Sequence, residues 1–428
     1  MNQRVNIREI VLEVLLLITR EGEYSHIALK AVLDKYQYLD KKDRAFINRV
    51  VSGTLERQIE LDYVLNQFSK VGVPKMKPVI RGILESGVFQ LLYMDHVPDS
   101  AICNEAVKLA DRKGFGTLKG YVNGVLRNIS RNKDNIKYPD ISVKYSLPKW
   151  LIELWEKNYD KETIERMGDS FLTRSPLTIR VNTNKITPHE LVKELQDEGI
   201  TCKEVKGIET AFSIKGVDYL EKIDSFQKGL FQVQDISSML VAPLANPKEG
   251  DYCIDVCAAP GGKSIHMAEL LNGIGMVEAR DLSQYKVLQI EENIARGQYK
   301  NIRTKVIDAR ILDEESKEKA DIILADLPCS GLGVIGRKPD LKYNVTPESL
   351  IELSTLQREI LSIVKEYVKP GGTLIYSTCT INTGENEENT RWFLENNKHF
   401  TKYFEKQRLP GIDEGDGFYV AAFKKDKI

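Results

Sequence analysis

The chain of 428 residues has only six cysteines, and no two of them form a C-x-x-C pair. Paired cysteines at that spacing are typical of zinc sites, so their absence argues against a structural metal. Six cysteines in a chain of this length are also too few for a disulfide scaffold. We therefore expect reduced thiols, as is usual in the cytoplasm, and no bound metal.

Long apolar runs are missing as well. A helix needs roughly 20 apolar residues to cross a bilayer, and no run in this sequence approaches that length. The longest, residues 11–18, contains Glu13 and is typical of an amphipathic helix. No small-residue cleavage site follows it, so no signal peptide is predicted. We expect a cytoplasmic protein that does not bind membranes.

The net charge is only −1, but this balance hides an asymmetry. Residues 1–140 carry 22 basic and 17 acidic side chains, whereas the remainder carries 39 basic and 45 acidic ones. Residues 108–137 hold eight basic residues and two acidic ones. Such a basic stripe can bind nucleic-acid phosphates, although a solvated helix face has the same composition.

Hydrophobic periodicity predicts three domains, which suits the length of the chain. Residues 1–135 are predicted to be all-helical, because apolar side chains recur three and four positions apart at 7–15, 47–55 and 118–129. Residues 136–235 are predicted to form linker helices and a small α+β domain. Its strands lie at 177–181 and 211–214, and its helix at 188–195.

Residues 236–428 alternate short apolar runs with helical stretches. The apolar runs lie at 252–257, 276–279, 305–307, 322–325 and 373–376. The helical stretches lie at about 263–271, 284–296 and 349–367. This alternation predicts a parallel sheet covered by helices on both faces. Ligands of such sheets bind beyond the carboxyl ends of the strands.

A glycine-rich turn follows the first of these strands. Residues 255–264 read Asp-Val-Cys-Ala-Ala-Pro-Gly-Gly-Lys-Ser, and their small side chains let a ligand approach the backbone at the start of a helix. The turn matches neither the phosphate-binding P-loop nor the G-x-G-x-x-G of dinucleotide folds. A nicotinamide dehydrogenase is therefore disfavoured.

Two carboxylates follow the next two strands. Asp281 can accept hydrogen bonds from ribose hydroxyls, and Asp308 can accept one from an adenine amino group. Taken singly, each aspartate is equally well explained as a helix N-cap or a turn residue. Together with the glycine-rich turn, the pair favours a cofactor that contains adenosine.

The fourth and fifth strands each end in a cysteine. Asp326, Leu327, Pro328 and Cys329 follow the fourth strand, and Cys379 follows the fifth. A lone cysteine is usually a packing residue, and a disulfide between these two is a further alternative. Two thiols at the ligand end of one sheet instead indicate covalent chemistry, because a thiolate is a strong nucleophile near neutral pH.

Thiolate chemistry beside an adenosine cofactor suits methylation of a pyrimidine at carbon 5. That carbon is too weak a nucleophile to take a methyl group unaided. Thiolate addition at carbon 6 gives carbon 5 carbanion character, so that it can attack the methyl group of S-adenosyl-L-methionine. Asp326 is placed to hydrogen-bond the N3/N4 edge of a cytosine. An amine methyltransferase would instead show an Asn/Asp-Pro-Pro-aromatic stretch where this chain has Cys329.

The chain resembles the RsmB/Sun (Fmu) family of bacterial 16S ribosomal RNA cytosine-C5 methyltransferases. The segments that carry the resemblance are residues 42–46, 121–127, 229–238, 255–264, 326–333 with Arg337, Pro339 and Asp340, 378–379 with Glu385, Asn386 and Glu387, and 415–419. The resemblance implies an N-terminal all-α NusB-like domain, a small α+β domain and a C-terminal α/β Rossmann-like methyltransferase domain. The last domain would have a seven-stranded sheet with an antiparallel final strand near 418–423.

By this resemblance the cofactor is S-adenosyl-L-methionine. The residues expected to bind it are Cys257, Ala258, Ala259, Pro260, Gly261, Gly262, Lys263, Asp281, Asp308 and Asp326. The family assigns the nucleophile to Cys379 and assistance of product release to Cys329. The residues alone do not rank the two thiols, since both end neighbouring strands. Lys263 is expected to contact the substrate or Asp326, with a solvent-facing lysine as the alternative.

The resemblance implies 16S ribosomal RNA as the substrate. Carbon 6 is reached from the face of the ring, so the cytosine must lie in a single strand or a loop, or be unstacked. The candidate phosphate contacts are Lys119, Arg127, Arg131 and Arg180, and for Arg180 an internal salt bridge is an alternative. Glu385, Glu387 and Glu388 are expected to open a helix and to complement its dipole.

Two other functions stay open at this stage. The same chemistry could act on transfer RNA or on another ribosomal site. Alternatively, the chain could be a non-catalytic RNA-binding factor for ribosome assembly. We expect a monomer, although no sequence feature determines the oligomeric state.

Overall fold

The computed structural model describes residues 5–427 and arranges them in two compact units. The first unit comprises the described residues up to Arg174 together with Ile335–Asn344. The second comprises Ser175–Val334 and the described residues from Val345 onward. Because there are two units and three predicted domains, the units do not test the predicted domain boundaries, which stay predictions. In the part of the chain that is described, no helix is long and apolar enough to span a membrane.

The first unit is helical. Its helices α1–α10 span Ile7–Glu21, Ser25–Lys35, Lys41–Glu56, Gln58–Phe68, Pro78–Tyr93, Asp99–Arg112, Lys119–Asn132, Ile141–Tyr145, Lys149–Trp155 and Lys161–Leu172. The Asn6 side chain caps the first N–H groups of α1, and Gly22 ends that helix in the left-handed conformation. Apolar faces of α1–α7 share one core. The three predicted amphipathic helices are confirmed as α1, α3 and α7.

A small antiparallel sheet opens the second unit. Strands β1–β4 span Leu177–Val181, Thr201–Val205, Ile208–Lys215 and Phe231–Val233, in the order β2-β3-β1-β4. Helix α11 spans Pro188–Asp197, begins at a capping box formed by Thr187 and Glu190, and buries Leu191. A short helix α12 covers Asp224–Gln227. The predicted small α+β fold is thereby confirmed, with β2 and β4 added.

A seven-stranded sheet forms the rest of the second unit. Strands β5–β11 span Tyr252–Asp255, Met276–Asp281, Ile302–Val306, Ala320–Asp326, Val368–Thr378, Phe400–Arg408 and Phe418–Lys425. Their order is β10-β11-β9-β8-β5-β6-β7; the pairings among β5–β9 are parallel, and those of β10 and β11 are antiparallel. Helices α13–α19 span Ile236–Met239, Val241–Ala245, Gly262–Leu270, Gln284–Gly297, Leu341–Asn344, Pro347–Val364 and Glu387–Asn396. Of these, α17 belongs to the first unit.

Both faces of this sheet are buried, as the sequence predicts. Neighbouring residues of one strand enter different apolar clusters, for example Cys253 and Ile254 of β5, because successive side chains point to opposite faces. Strands β6 and β7 lie on one side of β5. The chain then crosses back, so that β8 lies on the other side of β5. This reversal is the switch point at which a ligand crevice is expected in such folds.

The sequence prediction fails at the edges of the sheet. The third strand was expected at 305–307, but β7 begins at Ile302. Strand β10 was not predicted, because four consecutive exposed residues follow buried Phe400 and remove the apolar run that marks a strand. Both are edge strands, where one side has no neighbour and fewer side chains are buried.

Polar contacts of Asp340, Lys342 and Tyr343 hold residues 335–344 within the first unit. The Asp340 carboxylate accepts hydrogen bonds from the N–H and the hydroxyl of Ser25. Lys342 Nζ donates to the carbonyl oxygen of Glu56 at 2.7 Å, and Tyr343 donates to that of Leu55 at 2.9 Å. Burial lowers the pKa of Lys342 to about 7, so this ammonium loses its proton easily in the folded protein.

Candidate active site

The glycine-rich turn joins the end of β5 to the start of α15. Gly261 lies at φ +103°, and a Cβ there would sit 3.2 Å from Cγ2 of Ile290, so a larger residue would be strained. Helix α15 begins at Gly262 without a side-chain cap. Its first N–H groups are therefore open to an anionic group of a ligand.

Asp281, at the end of β6, is almost completely buried. Its carboxylate accepts the N–H of Ala259 at 3.0 Å and that of Leu282 at 2.8 Å. Lys286 Nζ lies 3.1 Å from Oδ1. Asp281 thus ties the glycine-rich turn to β6. Among the described residues, Oδ2 accepts only the Ala259 N–H, so it keeps capacity for a further donor.

Asp308 follows β7 and pairs with Arg310. The guanidinium donates to both carboxylate oxygens, with Nε–Oδ1 at 3.0 Å and Nη2–Oδ2 at 2.6 Å. Hydrogen bonds from Arg310 lower the pKa of Asp308. The pair is partly exposed, so exchanging Arg310 for another donor costs little.

Asp326, at the end of β8, is held from two sides. Lys263 Nζ lies 2.7 Å from Oδ2, and the Ser377 hydroxyl donates to Oδ1 at 2.7 Å. Lys263 also lies over the ring of Phe418, 5.4 Å from its centre. Burial disfavours the Lys263 ammonium, but negative partners, Asp326 foremost, outweigh it and raise the pKa of Lys263. Of the two alternatives for Lys263, the structure has the contact with Asp326 and excludes a solvent-facing lysine.

Cys329 and Cys379 lie side by side at the carboxyl ends of β8 and β9. Their sulfur atoms are 3.2 Å apart, and both residues are partly buried thiols that form no disulfide. The register of the two strands explains this, because Asp326 pairs with Ser377 just before the cysteines. A hydrogen bond with Cys379, together with burial, raises the pKa of Cys329 well above the ordinary value. Cys329 is therefore a proton-bearing neighbour of the second sulfur.

Asp255 lies beneath the turn and is fully buried. The Ser264 hydroxyl donates to its Oδ2 at 2.6 Å. Burial raises the pKa of Asp255 to about 7. The sequence shows Asp255 only as the end of a strand. Its burial results from the packing of the start of α15 against it, which the sequence pattern does not reveal.

The expectation for the acidic cluster is confirmed for Glu387 and Glu388, which lie in the first turn of α19. It is wrong for Glu385, which precedes the helix and is completely buried. Its carboxylate accepts hydrogen bonds from Ser330, Gln357 and Asn382. A buried carboxylate needs such donors, and these come from other parts of the fold.

The phosphate contact predicted for Arg180 is incompatible with its position. Arg180 is 2% exposed, pairs with Glu269, and donates from Nε to Gln234 at 2.8 Å. The internal salt bridge is therefore the alternative that forms. Lys119, Arg127 and Arg131 lie together on α7 and are exposed, although Lys119 contacts Asp111 and Arg127 contacts Asn123.

Sequence reasoning missed the hydroxyl residues of the site. Ser377 orients Asp326, and Ser330 and Thr380 bond to each other. The signal was available, since Ser330 and Thr380 each directly follow a cysteine. Within residues 5–427, no group of three or more His, Cys, Asp or Glu side chains is arranged to hold a metal ion.

Three family models match the chain in succession. The NusB family matches residues 5–131, the Methyltr_RsmF/B-like ferredoxin-like domain matches 147–217, and the 16S rRNA methyltransferase RsmB/F model matches 242–424. The first match lies in the helical unit and the third covers the seven-stranded sheet, while the second runs from α9 and α10 of the helical unit through β3 of the small sheet.

Curated relatives align over the whole chain. The probable ribosomal RNA small subunit methyltransferase B of Bacillus subtilis (strain 168) is 35% identical and covers 99% of both chains. Its counterpart from Synechocystis sp. (strain ATCC 27184 / PCC 6803 / Kazusa) is 32% identical over 98% of this chain and 100% of its own. The ribosomal RNA small subunit methyltransferase B of Cronobacter sakazakii (strain ATCC BAA-894) is 29% identical over 99% and 100%.

Solved structures share the fold. The crystal structure of PH0851 superposes with a TM-score of 0.84 and 27% identity, covering 99% of this chain and 100% of its own. NSun6 from Pyrococcus horikoshii, solved with SFG, has a TM-score of 0.60 and 24% identity over 66% of this chain and 99% of its own.

Proposed function

Because the chain belongs to the ribosomal RNA small subunit methyltransferase B family, we propose that it methylates carbon 5 of a cytosine in 16S ribosomal RNA. The observation that carries this proposal is the 3.2 Å separation of the Cys329 and Cys379 sulfur atoms at the ligand end of the sheet. Methylation of a nitrogen or an oxygen needs no thiol. Methylation at carbon 5 needs one thiol to add to the ring, and a second can assist its release.

S-adenosyl-L-methionine is the cofactor, and when bound it supplies an electrophilic methyl group. The glycine-rich turn suits it, because the uncapped start of α15 can receive its carboxylate. Asp281 has an acceptor left for the ribose, and Asp308 can exchange Arg310 for the adenine amino group. The residues proposed to line the site are Cys257, Ala258, Ala259, Pro260, Gly261, Gly262, Lys263, Asp281, Asp308 and Asp326.

Cys379 is proposed as the nucleophile. Its sulfur forms a bond to carbon 6, and the electron pair of the ring double bond moves to carbon 5. Two neighbours favour the thiolate of Cys379 over that of Cys329. Cys329 keeps its own proton, and the charge of Cys379 interacts with the Lys263 ammonium.

Asp326 is proposed to orient the base. Held by Lys263 and Ser377, its carboxylate can accept from the exocyclic amino group and support the charge that develops on the ring. Once carbon 5 is methylated, its proton passes to a water molecule, and the electron pair of that carbon–hydrogen bond re-forms the ring double bond. The sulfur–carbon 6 bond breaks at the same time and returns the Cys379 thiolate. Cys329, in contact with that sulfur, assists this release.

The exposed cations of α7 are proposed to contact RNA phosphates. Lys119, Arg127 and Arg131 contribute charge to one helix of the NusB-like unit, whereas Arg180 does not take part. The target cytosine lies in a single strand or a loop, since both ring faces must be reached. We propose that the protein works as a cytoplasmic monomer.

The test is a map of 5-methylcytosine in the RNA of a strain that lacks this protein. Loss of one position in 16S ribosomal RNA, restored by the wild-type chain but not by Cys379→Ala, is expected. Loss of 5-methylcytosine from transfer RNA or from another ribosomal site would contradict the proposed target but not the proposed chemistry. Labelled methyl transfer that survives loss of both Cys329 and Cys379 would eliminate the thiolate mechanism.

A further inference from the structure

The residues that directly follow the two cysteines are joined to each other. Ser330 Oγ and Thr380 Oγ1 lie 2.7 Å apart. The single hydroxyl proton of Ser330 points to Glu385 Oε1 at 2.5 Å, so Thr380 must be the donor between the two hydroxyls. A directed chain of hydrogen bonds therefore runs from Thr380 through Ser330 to the buried carboxylate of Glu385.

Glu385 fills all of its acceptor positions. Oε1 accepts from Ser330 Oγ and from Asn382 Nδ2 at 3.0 Å, while Oε2 accepts from Ser330 N at 2.9 Å and Gln357 Nε2 at 3.0 Å. Burial raises the pKa of Glu385, whereas these four bonds favour the ionised form. Hydrogen bonds to a charged acceptor in a dry site are stronger than neutral ones.

The same group of side chains holds the backbone on both sides of Cys329. Gln357, on α18, also donates from Nε2 to the carbonyl oxygen of Pro328 at 2.8 Å. Cys329 is thus flanked by a carbonyl bound to Gln357 and an N–H bound to Glu385. The Tyr376 hydroxyl donates to the carbonyl oxygen of Glu385 and ties that residue to β9, the strand that leads to Cys379.

We propose that Glu385 is a positioning residue that holds the loop of Cys329 against the loop of Cys379, so that the two thiols stay in contact and face the same base. What the thiols do there rests on the proposed function, but their spacing does not. Without the carboxylate, the Ser330 N–H and hydroxyl lose their buried acceptor, and the two loops lose their shared anchor.

The spacing can be measured without RNA or cofactor. Oxidised dithiothreitol converts the two thiols to a disulfide: a sulfur–sulfur bond forms, and the cyclic disulfide of the reagent is reduced to a dithiol. The equilibrium constant of this exchange reports the effective concentration of one thiol at the other. Peptide mass spectrometry distinguishes the Cys329–Cys379 disulfide from products of the other four cysteines.

Three variants separate positioning from general stability. Glu385→Ala removes both carboxylate oxygens that accept the four hydrogen bonds. Glu385→Gln removes the same charge but can keep its amide oxygen towards Ser330 N and Gln357. The new amide nitrogen then faces the Ser330 hydroxyl and Asn382, and both can accept from it if the hydroxyl turns and the Asn382 amide flips. Glu198→Ala is the matched control, since Glu198 accepts from both the N–H and the hydroxyl of Ser225 beside the small sheet.

Glu385→Ala is expected to lower the exchange constant about tenfold or more, and to lower kcat without changing the calorimetric affinity for S-adenosyl-L-methionine. Glu385→Gln should restore most of the exchange constant and most of kcat. Glu198→Ala should change neither the exchange constant nor kcat. An unchanged exchange constant in Glu385→Ala would overturn the proposal even if activity fell, and so would a Gln variant that behaves like the Ala variant.

If Glu385→Ala does not fold, Thr380→Val carries the test, because it removes the hydroxyl link between the loops and keeps Glu385. The other bond lost is the long one from the Asn382 N–H to Thr380 Oγ1, at 3.3 Å. A drop of about threefold in the exchange constant is then expected, and no drop would overturn the proposal. A wild-type chain that methylates no RNA but shows the predicted thiol pattern would refute the proposed function and leave the positioning role standing.

Discussion

Lys263 and Asp326 form a partly buried ion pair, with Nζ 2.7 Å from Oδ2, that joins the start of α15 to the end of β8. The pair brings the Lys263 side chain of the glycine-rich turn to the carboxylate of Asp326, which ends β8 just before the loop of Cys329. Because Ser377 holds the other oxygen, Asp326 has a fixed orientation before any substrate arrives. Such preorganised charge is the usual source of large rate effects in enzymes.

Lys263→Met should therefore impair catalysis more than binding. With its cationic partner gone, Asp326 can turn away from the base, and kcat in a methyl-transfer assay should fall by about tenfold to a hundredfold. Lys317→Met, which removes an exposed lysine from an ion pair with Glu314, is the control and should keep wild-type turnover. Wild-type kcat in Lys263→Met would contradict a role for this ion pair.

Cys379→Ala should abolish turnover. The variant lacks the sulfur that adds to carbon 6. Cys329 loses its hydrogen bond with Cys379 in this variant, but burial and Glu385 still disfavour its thiolate, so it does not replace Cys379. Methyl transfer from labelled S-adenosyl-L-methionine should fall to background, and no covalent RNA product should form. Cys202→Ala, which changes a cysteine of β2, should behave as the wild type.

Cys329→Ala should trap the covalent intermediate. Addition through Cys379 still proceeds, but release is slowed, so a protein–RNA adduct accumulates as a slow band on a denaturing gel. Treatment with ribonuclease should remove that band. Appearance of the adduct in Cys379→Ala instead would reverse the two roles.

Substitution of Arg180 should lower the stability of the protein, whereas substitution of Arg127 should weaken RNA binding. Arg180→Ala leaves Glu269 buried without its cation, which should lower the free energy of unfolding by about 3–5 kcal/mol in urea titrations. Arg127→Ala should leave stability unchanged, weaken RNA binding and reduce the slope of log affinity against log salt by about one. A salt slope that changes in Arg180→Ala but not in Arg127→Ala would contradict this assignment.

Lys342 should make the first unit more stable at higher pH. Its pKa is lowered to about 7 in the folded chain and is near 10.5 in the unfolded one, so the unfolded state binds more protons between these values. The free energy of unfolding should rise from pH 7 towards 10, and the stabilisation should be lost as pH falls through 7. Lys342→Met should remove this contribution, visible as the difference between its unfolding curves and those of the wild type.

The sequence predicted the parts of the fold and site that depend on local pattern. Cys329 and Cys379 could be placed together because parallel strands end at the same edge, and the structure brings their sulfur atoms into contact. The helices of the first unit and the buried strands followed from apolar periodicity. The exposed strand β10 gave no such signal, because most of its side chains face solvent.

The role of Glu385 could not be predicted, and for Arg180 the internal salt bridge was only one of two alternatives, because the partners of both residues are distant in sequence. Glu385 meets Ser330 across 55 positions, and Arg180 meets Glu269 across 89. A charged residue in a sequence is most simply expected at the surface. Burial of these two side chains is decided by tertiary packing, which periodicity does not describe.

The contribution of Ile335–Asn344 to the helical unit has a consequence during synthesis of the chain. A nascent polypeptide that has reached Arg174 still lacks ten residues of the helical unit. These residues include Asp340, which accepts the hydrogen bond of the Ser25 N–H, and Lys342, which donates to the Glu56 carbonyl oxygen. The amino-terminal module can be completed only after the ribosome has added another 170 residues. Excised fragments that stop near Arg174 should therefore expose an open groove and aggregate more readily than the intact protein.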